Sequence, residues 1–186
     1  MTYLRAACIS LLLAASAQTA SAQLMVIGKG DAAQCYSYAK QGNKGSYSAL
    51  QTCEAALEQN LMGKDYAATR VNYGILQMRK ENYQVALENY DAALEVLPTL
   101  TEAHVNRAAA LIHLDRLDEA LISINTALED VESQTRPAAL VNRALLYDRQ
   151  ENYSAAYRDL KAADQLAPDW EMVDRLLARY TVKPKS

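Results

Sequence analysis

Between Ala67 and Pro98 apolar residues return every three or four positions, and the run breaks once, at Glu81-Asn82. That period belongs to an amphipathic helix, and the break divides it into helices over 65–80 and 83–96. The same alternation predicts further helices over 99–114, 117–131, 135–150 and 153–166, joined by short turns such as Glu151-Asn152. Asn82 and Asn152 stand where an N-cap belongs. After Pro168, Asp169 is placed to cap a last helix. Trp170, Val173, Leu176, Leu177 and Tyr180 fall on one side of it, and Glu171, Asp174, Arg175 and Arg179 face water.

These helices form a repeat. With Ala67 as position 1, Gly74 falls at position 8, Tyr83 at 17, Ala86 at 20, Tyr90 at 24, Ala93 at 27 and Pro98 at 32. From Thr101 the same positions hold Ala108, Leu117, Ala120, Ile124 and Ala127, and from Pro137 they hold Ala144, Tyr153, Ala156, Leu160, Ala163 and Pro168. Small residues at 8 and 20 let two antiparallel helices approach closely, and the proline ends the second helix. The spacing resembles the tetratricopeptide repeat, a helix-turn-helix of about 34 residues. The resemblance implies an all-α solenoid of repeats over 67–100, 101–134 and 137–170, closed by a capping helix over 169–180. A degenerate repeat over 30–63 precedes them, and residues 181–186 are expected to be a flexible tail.

The first 22 residues follow a different pattern. Arg5 gives a positive start, Ala6 to Ala17 an apolar run, and Ala20-Ser21-Ala22 a small-x-small cleavage site before Gln23. This reads as a bacterial secretory signal peptide, with an uncleaved anchor as the alternative, and it places the mature chain in a periplasm or outside the cell. The apolar run is short for a bilayer span. Two cysteines remain after cleavage, Cys35 and Cys53, near positions 6 and 24 of the degenerate repeat. An even pair in an exported chain is expected to be oxidised, joining facing helices across the turn Gly42-Asn43-Lys44-Gly45. A bridge closing such a loop stabilises by about 3 kcal/mol.

Charge changes the picture little. Arg5 is the only charged residue of the leader among the chain's 19 basic and 22 acidic side chains, so the mature chain has a balance of −4. A nucleic-acid partner, which needs a basic face to displace counterions, is not expected. His104 and His113 are the two histidines, and their spacing matches no helical metal pair. Without a nucleophile elbow, phosphate loop or dinucleotide fingerprint, no catalytic residue, metal or cofactor is expected.

Binding has one candidate column, at position 6 of each first helix: Asn72, Asn106 and Asn142. The resemblance implies that this surface is the concave wall of the superhelix. A carboxamide there pairs with the backbone of an extended peptide. Val71, Ile75, Val105, Ala109, Val141 and Leu145, at positions 5 and 9, would form an apolar floor. A carboxylate clamp is disfavoured, because position 2 holds Ala68, Glu102 and Ala138. Arg70, Arg107 and Arg143 occupy positions 4 and 7, where apolar residues are usual in the family. The expected function is a non-catalytic exported scaffold for a peptide or protein partner. The alternatives are a cell-wall-directed activity or binder of the disulfide-bearing Sel1-like type, or a passive subunit of an envelope assembly.

Overall fold

A computed structural model describes residues 2–5 and 30–183. Apart from Thr2–Arg5, the expected leader lies outside the described residues. Among these residues the helices run in antiparallel pairs: α1 (Asp31–Lys40) with α2 (Tyr47–Glu58), α3 (Gly63–Arg79) with α4 (Tyr83–Val96), α5 (Thr101–His113) with α6 (Leu117–Glu129), and α7 (Arg136–Arg149) with α8 (Tyr153–Leu166). A short α9 (Glu171–Leu177) packs on α8. First helices also pack on one another, α1 on α3, α3 on α5 and α5 on α7, which makes the hairpins a stack. This is the expected all-α solenoid.

In the three repeats the turn between first and second helix carries one residue in the left-handed region at position 15: Glu81 (φ 62°), Asp115 (φ 58°) and Glu151 (φ 58°). The chain reverses there without glycine, at a steric cost that the hairpin's packing offsets. Asn152 caps α8 as expected, accepting from the Ala155 amide at 3.2 Å. Asn82 does not cap α4. Its amide nitrogen donates to Gln77 Oε1 at 2.8 Å, across the turn. Asp169 is not a cap either: it sits at φ 64°, and the helix starts after Trp170.

The helix expected over 169–180 is therefore shorter, and Tyr180–Lys183 extends as β2 instead of trailing from 181 as a tail. Its backbone pairs antiparallel with β1 (Thr2–Arg5), in the register Thr2↔Lys183 to Arg5↔Tyr180. The β-forming run Tyr180-Thr181-Val182 suits a strand better than a helix.

One core runs the length of the three repeats, from Ala67 through Tyr90, Leu111, Ile124 and Leu160 to Val173. Trp170, Leu176, Leu177 and Tyr180 close its far end. The first hairpin has a small core of its own, Cys35, Ala49 and Cys53 against Tyr73 and Leu76 of α3.

Candidate binding face and the ladder between repeats

The asparagine column sits on α3, α5 and α7 as the register requires, yet it does not line an open surface. Asn72 and Asn142 are fully buried and Asn106 is 1% exposed. Stacking of the first helices on one another puts position 6 at their seam. Across that seam the Asn142 amide donates to the Val105 carbonyl of the preceding repeat at 3.2 Å. The expected apolar floor is likewise interior: Val71, Ile75, Val105, Val141 and Leu145 belong to the main core, and Ala109 is 1% exposed. In α5 the five residues from Ala108 to Ile112 are all buried, which leaves that helix no open inner stripe. All nine residues expected to line a concave peptide groove are thus buried. The Asn142 carboxamide serves the stack.

Gly74 also lies against Tyr90 of α4. A Cβ there would press into the ring of Tyr90, 2.9 Å from Cζ and 3.0 Å from Cδ1. The glycine makes room for a tyrosine at position 24. The other repeats, with Ile124 and Leu160 at that position, keep Ala108 and Ala144 at position 8. The Tyr90 hydroxyl is buried without a hydrogen bond, and burial holds its pKa far above the ordinary tyrosine value.

The arginines that departed from the family pattern supply the feature that the sequence reading missed. Arg107, at position 7 of α5, donates to Asp91 at 2.6 Å on the preceding α4 and to Ser123 at 2.6 Å on its own α6. Arg143, at position 7 of α7, donates to Asn125 at 3.3 Å on α6 and holds Asp159 of α8 through two bonds of 2.7 and 2.9 Å. At the same position of α3, Tyr73 donates to Glu54 of α2 at 2.5 Å, while Arg70 takes Asn89 of α4 at 3.0 Å. Position 7 thus reaches position 25 of the repeat before it in all three repeats. Position 23 of the same repeat is held by Arg107 and Arg143 in two and by Arg70 in the third. The signal was legible: Asn89, Ser123 and Asp159 are polar residues on buried helix faces, each facing a donor. A buried polar group needs such a partner. The bond to Asp159 raises the Arg143 pKa, so the guanidinium stays charged.

His104 Nε2 lies 2.8 Å from the Pro98 carbonyl, and His113 stacks on Tyr83 with ring centroids 4.3 Å apart. Among the described residues no three His, Cys, Asp or Glu side chains converge on a point where a metal ion could sit. No described helix is long and apolar enough to cross a membrane. The structure joins Cys35 to Cys53, both fully buried.

Comparison with known proteins agrees with this geometry. Residues 137–169 match the family model of the tetratricopeptide repeat. A DnaJ homolog subfamily C member 7 homolog of Dictyostelium discoideum is 35% identical over 95 residues, which cover 49% of this chain and 17% of that protein. A tetratricopeptide repeat protein 36 homolog of Drosophila pseudoobscura pseudoobscura is 35% identical over 96 residues, 50% of this chain and 51% of that one. The chain thus spans a sixth to a half of the length of these relatives. Among solved structures, a tetratricopeptide repeat protein from Parabacteroides merdae superposes with a TM-score of 0.63 at 20% identity, over 80% of this chain and 55% of its own. YrrB, described as a tetratricopeptide repeat protein with an unusual peptide-binding site, gives 0.61 at 22% identity, over 77% and 70%. These likenesses show the fold, a tetratricopeptide-repeat solenoid, and together with the matched repeat they support that family.

Proposed function

We propose that the chain is a non-catalytic, exported scaffold that binds a peptide or protein partner through its outer surface and not through the asparagine column. The observation that carries this reading is the distribution of exposure. The inner stripe of α5 is closed, whereas large apolar side chains stand in solvent on the second helices: Val85 and Val96 on α4, Ile122 on α6 at 67% exposure, and Leu166 on α8. A partner could reach these without displacing any part of the fold. Acidic neighbours on the same helices, Glu88, Glu95, Asp118 and Glu129, favour a segment with basic residues beside its apolar anchors. The peptide-binding site named for YrrB supports the class of ligand. Export is supported by the leader pattern and by the cystine between Cys35 and Cys53, a bond of oxidising compartments.

Capture of partners by crosslinking from the exported fraction tests the assignment. Ile122→Lys together with Val85→Lys is expected to abolish capture and leave the melting temperature within a few degrees, since surface changes cost about 0.5 kcal/mol or less. Undiminished capture by that double variant would sink the outer-face reading. A mature N-terminus other than Gln23, read by mass spectrometry, would do the same for the assigned leader.

A further inference from the structure

We propose that helices α1 and α2 are a removable cap on α3, held together by oxidation of Cys35 and Cys53 and undocked as the two helices part when that bond is reduced. The inference concerns the end of the array and stands whether or not the outer face binds a partner. It begins with what the hairpin buries: Ala32, Cys35, Ala39, Ala49, Cys53 and Ala56. Four of these are alanines, and the cystine is the largest buried group between the two helices. The larger apolar side chains, Tyr36, Tyr38, Leu50, Leu57 and Leu61, are only partly buried. Of the hairpin's buried residues Ala39 alone reaches the main core; the others form two small clusters with Tyr73, Leu76 and Ala68 of α3. A terminal hairpin has a neighbour on one side only, so so small a core leaves its docking dependent on the covalent link.

Both helices of the cap pack on α3, and three closer contacts accompany that packing. Tyr73 donates to Glu54, the Arg79 guanidinium donates to the Asn43 carbonyl at 3.1 Å, and Gly45 lies tight against the Leu76 carbonyl and the Lys80 stem. The first comes from α2 and the other two from the turn between α1 and α2. Oxidation takes two electrons from the thiols, which give up their protons, and passes them to a disulfide oxidant that leaves as a dithiol. Reduction by a dithiol reverses this and frees the two helices to part. Release uncovers the N-terminal end of the array at Ala68, Tyr73 and Leu76, an apolar patch that exists only in the reduced chain.

Hydrogen exchange of the full chain, oxidised and then treated with dithiothreitol, tests this, with Cys35→Ser/Cys53→Ser as a second reduced form because the cystine is fully buried. Amides of 31–58 are expected to lose protection by about a hundredfold on loss of the crosslink, while those of α5 to α8 keep theirs. Protection lost equally along the whole chain, or kept in 31–58 by the double serine variant, would overturn the proposal. Should that variant fail to fold, wild type refolded under dithiothreitol is read by the same two criteria.

Discussion

Helices α1 and α2 meet over four alanines and a cystine, whereas α3 and α4 meet over Val71, Ile75, Leu87 and a fully buried Tyr90. The outline of the two hairpins is the same, yet the second gains from burial what the first obtains from a covalent bond. Fully burying a Leu or Ile side chain stabilises by roughly 1.5–3 kcal/mol, and a methyl group by much less. A second difference lies between hairpins. The three repeats are tied to one another by arginines that bond across the seam, while the first hairpin is tied to α3 by a single tyrosine at the equivalent place. Shape is therefore a poor guide to what holds each part of a solenoid together.

Removing an arginine of the ladder breaks the downstream half of this comparison and has the largest expected effect. Arg143→Ala leaves the Asp159 carboxylate, whose side chain is 12% exposed, without its two charge-assisted bonds. Loss of one partner of a buried ion pair costs about 3–5 kcal/mol, and the partial exposure of this one brings the expectation to roughly 2–3 kcal/mol by denaturant titration. Arg107→Ala should cost less, about 1 kcal/mol, because Asp91 is 45% exposed and water can replace the guanidinium. Equal losses for the two variants would show that the ladder's energy does not follow burial.

The fold was legible because its signal is a period. Small residues at positions 8 and 20 recur in all three repeats and a proline at 32 in two of them, and the expected helices over 83–96 and 153–166 match α4 and α8 at both ends. The site was not legible, since position 6 can face a groove or a seam at the same helical angle. How closely α3, α5 and α7 stack decides between the two, and that closeness is a property of neighbouring repeats that the pattern within one helix does not carry. The arginines were visible as misfits. Their partners sit on other helices, at separations of 16 to 19 residues, where periodicity within one helix carries no information.

Gly74 sharpens the comparison among the repeats themselves. Alanine is the better helix former by about 1 kcal/mol, so Gly74→Ala gains there, but its Cβ would drive into a ring that has no free space around it. Overpacking of a closed core costs about 1–3 kcal/mol, and the expected net loss is roughly 1 kcal/mol in the melting of α3–α9. Adding Tyr90→Leu, the arrangement that the third repeat already has in Ala144 and Leu160, should recover more than Tyr90→Leu alone predicts. A double-mutant cycle without coupling would refute the pairing of positions 8 and 24.

The smallest expected effect falls on the one hydrogen bond by which position 7 of α3 holds the first hairpin. Burial, and then the bond to Glu54, push the Tyr73 pKa from 10.0 up to about 12. The folded chain therefore holds this proton more tightly than the unfolded chain does. Its contribution is whole below about pH 10, where both states are protonated, and is lost as the pH rises from there to about 12. Tyr73→Phe removes the bond at neutral pH for about 0.5 kcal/mol, leaving the ring in place. The difference in stability between wild type and Tyr73→Phe should then shrink through that alkaline window, since the other tyrosines and the lysines titrate alike in both chains. A constant difference across the window would mean that Glu54 and Tyr73 do not share a proton-dependent contact. In that case the cap rests on the Asn43 carbonyl and the packing around Gly45, with position 7 playing no part in seating it.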